Sequence, residues 1–240
     1  MFPQILPEWS LARARAFSTT RSGGVSTGPW ASLNLGAACG DDPAAVAENR
    51  RRVQTVLPAT PRWLRQVHGA RVIHLDDWQP DIEADAAWTD RPGQVLAIQT
   101  ADCLPVILAD RDGRLVAAAH AGWRGLAIDI PGQLVQTLPV APDRLVAWLG
   151  PGIGPAHYQV GESLQASFRQ LDRQLEPGVS EDANGVLRAD LKFIARTLLQ
   201  RAGVGQVLDC GLCTAADPER FFSFRRDGQC GRMATLAWME

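Results

Sequence analysis

The chain has 240 residues, of which 46% are hydrophobic and 21% are charged, a composition typical of soluble globular proteins. Its formal net charge of −2 gives no electrostatic reason to expect nucleic acid or an anionic membrane as a partner. The sequence has no evident signal peptide and no stretch that approaches a membrane span, so we expect a cytoplasmic protein. Its five cysteines are accordingly expected to be free thiols.

The first third of the chain predicts a strand, a helix and a hairpin. Residues 17–20 have the composition of a strand, and RSGG after them is typical of a turn. Asp42 and Pro43 are the N-cap and first-residue signals of a helix over AAVAENRRRVQTVL. WLRQVH and RVIHLDD, joined at Gly69 and Ala70, predict a β-hairpin.

The centre of the chain has the most regular pattern. VLAIQT, LPVILAD and LVAAAH predict three buried strands, with ADC as a corner and RDGR as a turn between them. A helix is expected after the glycine-rich AGWRG. Pro131 and Gly132 interrupt that helix, so we place its secure start near Gln133.

The last part of the chain mixes strands and helices irregularly. RLVAWLG and QVLDC predict strands, GPGIGP predicts a rigid loop, and FFSFRRDGQCGR predicts a polar loop. ESLQASFRQL and ADLKFIARTLLQRAG have the apolar spacing of about 3.6 residues that indicates helices. The whole pattern predicts one domain over residues 1–240, of the α/β (α+β) class, with a mixed β-sheet core flanked by helices.

Three chemically distinctive residues stand where a predicted strand meets a turn: His68 in QVHG, Cys103 in TADC and His120 in HAGWRG. Imidazole and thiolate bind zinc well, and three protein ligands leave a fourth position for water or substrate. Asp85 and Asp102 are near in sequence and are candidate hydrogen-bond acceptors or proton carriers. Because an isolated histidine or cysteine is more often structural, the residues alone leave both interpretations open.

The remaining motifs are less informative. GPGIGPAHYQVG matches neither a dinucleotide fingerprint nor a P-loop, and predicts a rigid turn that carries His157 and Tyr158 near the site, or a purely structural turn. Cys210 and Cys213 form a CxxC without a second CxxC or a thioredoxin-like context, which favours structural thiols. His74 is expected to be an ordinary strand residue.

The motifs RQVHG, TADCLPV, HAGWRG, GPGIGPAHYQVG and FFSFRRD, in this order, closely resemble the bacterial laccase-domain family. That family is also called the polyphenol oxidase or peptidoglycan-editing-factor family, and it includes zinc-dependent purine nucleoside phosphorylases. The resemblance extends from about Phe17 to Arg232 and implies that His68, Cys103 and His120 bind Zn²⁺. The IDIPGQ segment departs from the helix usual in the family, which affects the expected local geometry but not the ligands.

The resemblance implies phosphorolysis of adenosine, inosine and S-methyl-5′-thioadenosine, with deamination of adenosine as a side activity. The partners are then a small purine nucleoside and phosphate, and the protein is a monomer or a homodimer. His68, Cys103 and His120 are candidate catalytic residues as well as ligands. Asp85 and Asp102 are candidate catalytic residues that assist the departing base.

Arginines beside glycines or aromatic residues are candidates for binding phosphate and purine. Arg21 lies just before two glycines, and Arg225, Arg226 and Arg232 lie among the aromatic residues of FFSFRRDGQCGR. Guanidinium groups suit phosphate, although solvated surface arginines are the alternative. The resemblance favours Arg21 and Arg226 as substrate-binding residues, and Tyr158 is a third candidate.

Two other activities would use the same residues. Cys103 as a nucleophile with a histidine base gives an amidase, which suits the editing of a peptidoglycan precursor. The other alternative is a copper-dependent polyphenol oxidase. Four histidines are too few for a multicopper oxidase, and no methionine follows Cys103 closely as a blue-copper ligand would, so Cu²⁺ is expected to bind only adventitiously.

Overall fold

Two mixed β-sheets and a small hairpin organise the chain, and the computed structural model describes residues 2–240. The strands of this part are β1 (Gln4–Ile5), β2 (Ala14–Thr19), β3 (Arg62–Trp63), β4 (Val72–His74), β5 (Ala86–Thr89), β6 (Leu96–Thr100), β7 (Leu104–Asp110), β8 (Val116–Ala121), β9 (Leu145–Leu149), β10 (Val179–Glu181), β11 (Leu187–Ala189), β12 (Gln206–Asp209) and β13 (Met233–Met239). Its α-helices are α1 (Pro43–Gln54), α2 (Trp123–Ala127), α3 (Ile130–Thr137), α4 (Glu162–Leu171), α5 (Leu191–Arg201) and α6 (Phe224–Asp227). Among these residues no helix has the length and apolarity that crossing a bilayer requires.

Each large sheet combines parallel and antiparallel pairs. The first has the strand order β1-β2-β13-β6-β3, and the second has the order β12-β9-β7-β8-β5-β4. The pairs β3–β6, β4–β5 and β9–β12 are parallel, whereas the other pairs of these two sheets are antiparallel. Strands β10 and β11 form the separate hairpin. The predicted mixed α/β architecture is therefore confirmed.

Strand alternation explains how the two sheets stack. Every residue of β7 is buried, because both faces of its sheet are covered. Val106 and Leu108 pack in one core cluster with residues of helices α3, α4 and α5. Ile107 and Ala109 point the other way and pack against residues of the five-stranded sheet, among them Ile98.

A further core lies on the outer face of the five-stranded sheet. There Phe17 and Leu236 pack with Val53 of α1 and with Leu33 and Leu35 of the preceding loop. The layers are therefore helices, six-stranded sheet, five-stranded sheet, and then α1 with its loop. On this face of the sheet, the rings of Phe17 in β2 and Trp238 in β13 meet edge to face at 6.0 Å.

The chain crosses from the five-stranded sheet to the six-stranded sheet at two places that matter for the site. One crossing joins β3 to β4, and the other joins β6 to β7 through residues 101–103. Both crossings run in the same direction between the stacked sheets. The residues of these two connecting segments lie at the edge of the interface between the two sheets, outside the paired strands.

Several predicted elements are confirmed. Helix α1 begins at Pro43, with the Asp42 side chain accepting a hydrogen bond from the backbone N–H of Ala44. The predicted strands VLAIQT, LPVILAD and LVAAAH correspond to β6, β7 and β8, and ESLQASFRQL is α4. The final strand β13, which no motif indicated, completes the five-stranded sheet between β2 and β6.

The predicted hairpin around Gly69 and Ala70 is wrong. Strand β3 pairs with β6 in one sheet, whereas β4 pairs with β5 in the other. The physical reason is that the intervening backbone does not face a partner strand. The N–H groups of Val67, His68 and Gly69 donate instead to the carboxylate of Asp85.

The predicted helix start near Gln133 is also wrong, since α3 begins at Ile130. Pro131 occupies the first turn, where its missing N–H costs nothing. Asp129 caps this turn by accepting from the N–H of Gly132, and it holds a left-handed conformation with φ of 55°. Arg201 of α5 also donates to its carboxylate.

Asp129→Ala is expected to lower the free energy of unfolding by about 1 to 3 kcal/mol, because it removes a helix cap and places alanine in a left-handed conformation. Asp129→Asn is the matched control, since asparagine caps helices and tolerates this conformation. Urea unfolding of both variants measures the difference. Equal stabilities of the two variants would contradict the capping role.

Candidate metal centre

His68, Cys103 and His120 meet at the rim of the sheet–sheet interface. His68 lies on the crossing from β3 to β4, Cys103 ends the crossing from β6 to β7, and His120 is near the end of β8. One ligand atom from each residue lies within 4.8 Å of the others. The Sγ atom of Cys103 is 3.8 Å from Nε2 of His68, and the two imidazole rings meet edge to face at 4.7 Å.

Asp85 holds two of these ligands at once. Its carboxylate is fully buried, accepts the N–H groups of three successive residues including His68, and lies 2.8 Å from Nδ1 of His120. Burial alone would raise the pKa of Asp85, but the hydrogen bonds from His120 and from the loop lower it below its ordinary value. The carboxylate therefore accepts the Nδ1 proton of His120 and leaves Nε2 of that ring for a ligand.

The thiol and the buried imidazole are polarised toward charged forms. Burial opposes ionisation of Cys103, but the charge of His120 and hydrogen bonds from His120 and His68 outweigh it and lower the pKa of the thiol. Burial likewise opposes protonation of His120, but Cys103 and Asp85 outweigh it and raise the pKa of the imidazole. A thiolate is the form of cysteine that binds metals and attacks carbonyl carbon.

The donor set fits a metal ion. Two imidazole nitrogens and a thiolate sulfur are ligands preferred by zinc, and copper also binds such groups. Gly122 also keeps the space beside these donors free of a side chain. A Cβ atom added at Gly122 would lie 2.8 Å from Sγ of Cys103 and 3.2 Å from Cδ2 of His68. Three protein donors leave room in the coordination sphere for water or substrate.

Gly122→Ala is expected to weaken metal binding about ten- to hundredfold, because a methyl group forced against Cys103 and His68 costs about 1 to 3 kcal/mol. Gly161→Ala is the matched control, since nothing lies within 4 Å of a Cβ atom at Gly161. Competition with a chromogenic chelator measures the affinity of both variants. Unchanged affinity in Gly122→Ala would show that the glycine is not needed for the site.

Asp102 anchors the segment between β6 and β7 that carries Cys103. Its two carboxylate oxygens accept hydrogen bonds of 2.6 Å each, from the hydroxyl of Thr214 and from the backbone N–H of Arg225. Its backbone carbonyl accepts a third hydrogen bond from Ile153. Neither Asp102 nor Asp85 is part of the lining of the adjacent cavity; Asp85 bonds to His120, and Asp102 directly precedes Cys103.

A cavity of about 460 Å³ opens beside the three ligands. This volume lies within the range of about 300 to 1,000 Å³ that is usual for sites of small molecules. Its walls combine small residues from the loop after β2, polar residues near β3 and β6, and aromatic and basic side chains from the C-terminal part. The lining consists of Gly36, Ala37, Ala38, Cys39, Arg50, Trp63, Leu64, Arg65, Gln66, His68, Asp81, Gln99, Thr100, Ala101, Cys103, His120, Phe224 and Arg232.

The substrate-binding candidates Arg21, Arg226 and Tyr158 lie outside this lining. Arg21 donates to the backbone carbonyls of Ala31 and Pro218. Arg226 donates to three backbone carbonyls and pairs with Asp227. Both guanidinium groups therefore support loops.

Tyr158 packs in the core on the helix side of the six-stranded sheet, with the guanidinium of Arg225 4.7 Å from its ring centroid. Burial and the nearby Cys103 raise the pKa of its hydroxyl to about 12, so the tyrosine is neutral near pH 7.

The other histidines and cysteines do not join the centre. Within residues 2–240, His68, Cys103 and His120 form the one group of three or more such residues arranged for a metal. His74 is in β4, as predicted, and packs against Trp88 at 4.4 Å. Nδ1 of His157 lies 3.7 Å from Sγ of Cys213, and neither residue lines the cavity.

Sequence reasoning missed several residues of the cavity. Gln66 bonds through its side chain to the backbone N–H and carbonyl of Gln99, and thereby ties the β3 crossing to β6. The two-residue spacing from Gln66 to His68 was a usable signal, because alternate residues of an extended segment share a side. Arg232 lies in FFSFRRDGQCGR, whose arginines were predicted to suit phosphate, whereas Arg50 in α1 gave no such signal.

The fold and this centre agree with the comparisons to known proteins. The chain belongs to the family described as multi-copper polyphenol oxidoreductase laccase, whose model matches residues 15–240. The family resemblance predicted from the motifs is thereby confirmed. The family match, like the three clustered residues, indicates a metal-associated protein.

Relatives of similar length support the same assignment. The chain is 46% identical over 238 residues to a protein named purine nucleoside phosphorylase PA4543 from Pseudomonas aeruginosa, covering 98% of both chains. It is 43% identical over 239 residues to purine nucleoside phosphorylase YfiH of Escherichia coli, again covering 98% of both. Among solved structures, Neisseria meningitidis protein NMB0706 matches with a TM-score of 0.94 and 39% identity, covering 99% of each chain.

Proposed function

We propose that the protein is a zinc-dependent purine nucleoside phosphorylase acting on adenosine, inosine and S-methyl-5′-thioadenosine, with adenosine deamination as a side activity. The observation that carries the proposal is the convergence of His68, Cys103 and His120 at one edge of a ligand-sized cavity. Relatives of nearly equal length named purine nucleoside phosphorylase support the substrate class. The partners are accordingly a nucleoside and phosphate.

The residues of the centre have distinct roles in this proposal. His68, Cys103 and His120 hold Zn²⁺, which when bound supplies a Lewis acid beside the substrate. Asp85 keeps the Nδ1 proton on His120 and orders the loop of His68. Asp102 holds the backbone next to Cys103 through Thr214. Asp85 and Asp102 thus position these residues, in addition to their proposed role as acids that assist the departing base.

A second candidate function is amide hydrolysis by Cys103, and one observation favours it. The thiol has a lowered pKa and contacts a histidine that is oriented by a buried carboxylate, which is the arrangement of a nucleophile, a base and an orienting acid. A thiolate committed to a metal is a poor nucleophile, so the two functions exclude each other on one molecule. A covalent acyl-enzyme on Cys103 would favour the amidase.

Copper-dependent phenol oxidation has less support. The family description names several coppers, but the described residues hold one three-residue group suited to a metal. Copper binding at this group is therefore proposed to be adventitious, since copper competes well for the same ligands.

The test is incubation of metal-analysed protein with adenosine, with and without phosphate, followed by separation of purines and ribose 1-phosphate. Adenine and ribose 1-phosphate formed only with phosphate would support phosphorolysis, and inosine formed in both mixtures would support the deaminase activity. Chelator-treated protein is the control, and zinc added back should restore turnover. If zinc-loaded protein forms neither product, the proposal is wrong and the amidase becomes the better candidate.

A further inference from the structure

Two arginines on one wall of the cavity have donors that the protein does not use. Nε and Nη2 of Arg50 donate to the carbonyl of Leu35, and among residues 2–240 no group accepts from its Nη1. Nη1 of Arg232 donates to the carbonyls of Cys230 and Gly231, and within the same residues Nε and Nη2 of Arg232 have no acceptor. This contrasts with Arg226, whose Nε and both Nη atoms all donate to protein acceptors.

The same peptide positions both arginines. Leu35 offers its carbonyl to Arg50 and donates its N–H to the carbonyl of Arg232. Gly36 follows directly, and a Cβ atom there would lie 2.7 Å from Cγ of Arg232, so the loop lies flat against the arginine stem. The two guanidinium groups are thereby brought to one wall from α1 and from the segment before β13.

Aromatic rings restrict both side chains further. The guanidinium carbon of Arg50 lies 4.1 Å from the ring centroid of Trp63, and that of Arg232 lies 5.8 Å from the centroid of Phe224. Stacked guanidinium groups lose less freedom on binding a ligand, because their orientation is already fixed. Burial also lowers the pKa of Arg50, which indicates a partly desolvated cation that an anion would stabilise.

The charges of the lining favour an anion. Arg50, Arg65 and Arg232 line the cavity together with one carboxylate, that of Asp81. Arg65 is paired with Glu83 at 2.5 Å, so its charge is already compensated. Arg50 and Arg232 therefore remain as the basic groups of the wall, and their planar donor edges suit a phosphate group, which accepts several hydrogen bonds at once.

We propose that Arg50 and Arg232 form an anion subsite that holds inorganic phosphate in the same cavity as the three metal ligands. The assignment rests on the proposed function, which requires phosphate and nucleoside to bind together. It differs from the predicted pair Arg21 and Arg226, which lie outside the lining of this cavity. The 5′-phosphate of a nucleotide has the same chemistry and is the competing source of the ligand.

The experiment measures two quantities on metal-loaded protein: calorimetric binding of inorganic phosphate, and the KM for phosphate in adenosine phosphorolysis. Arg50→Gln and Arg232→Gln are each expected to weaken phosphate binding and raise this KM about 10- to 100-fold, with a much smaller change in the KM for adenosine. Arg50→Lys keeps the charge but loses the planar donor edge, and an intermediate effect is expected. Thermal unfolding of each variant verifies that it folds.

Arg62→Gln is the matched control, because Arg62 also stacks on an indole, that of Trp78 at 4.6 Å, and does not line the cavity. Unchanged phosphate binding in both cavity variants overturns the subsite, even where phosphorolysis itself is confirmed. Phosphate binding lost in these variants supports the subsite, even where no adenine forms and the proposed function fails. Variants that lose affinity for adenosine 5′-monophosphate but keep it for inorganic phosphate also overturn the proposal.

Discussion

Asp85→Ala is expected to lower the free energy of unfolding by about 3 to 5 kcal/mol and to abolish stoichiometric metal binding. The large effect follows because the fully buried carboxylate partners His120 and three loop N–H groups, all of which lose their acceptor. Urea unfolding measures the stability, and titration with Zn²⁺ measures the binding. One tightly bound metal per chain in Asp85→Ala would contradict the orienting role.

Asp110→Ala is the matched control for stability. Asp110 is also fully buried, and it accepts from the backbone and side chain of Arg114 at the turn after β7. Its loss should likewise destabilise the protein but leave metal binding intact. Asp85→Asn adds a finer test. An amide has one acceptor oxygen where the loop and His120 need two, so this variant should fold better than Asp85→Ala and still bind metal poorly.

Cys103→Ala is expected to reduce phosphate-dependent turnover of adenosine about a thousandfold, because loss of the thiolate removes the metal and with it several kcal/mol of transition-state stabilisation. Metal analysis and product formation are measured on the same preparation. Cys213→Ala is the control, since Cys213 is partly exposed and lies outside the cavity.

The Cys103 variants also separate the two candidate functions. If phosphorolysis depends on the metal, its rate in Cys103→Ala should fall together with the metal content of this variant. Full turnover in Cys103→Ala would remove Cys103 from both mechanisms. An activity lost while one metal per chain is retained would indicate that the thiol acts as a nucleophile, and trapping an acyl group on the wild-type thiol would then test the amidase directly.

Local sequence patterns predicted the strands and helices whose buried residues follow a regular spacing. Strands β6, β7 and β8 are apolar runs because sheets or helices cover both faces, and α4 and α5 keep the helical spacing. The three residues that are positioned to bind a metal were predicted because each stands where a strand meets a turn and matches a family motif. Their convergence could not be derived from local patterns, because it depends on how two sheets stack.

The features that escaped prediction depend on distant partners. The loop of His68 resembles a hairpin until Asp85, 17 residues away, takes its N–H groups. Arg50 of α1 and Arg232 of the segment before β13 line the same cavity, and both bond to Leu35. Arg21 and Arg226 had the expected residue type, but they donate to backbone carbonyls of loops and lie outside the cavity lining.

The position of β13 sets the order in which the protein can be assembled during synthesis. This strand lies between β2 and β6, so the five-stranded sheet cannot close until residues 233–239 have left the ribosome. A nascent chain that already contains all three metal ligands still has an open edge on β6, and such edges recruit other chains. A chain that lacks residues 233–239 is therefore expected to expose the facing edges of β2 and β6 and to be more prone to aggregation than the full chain.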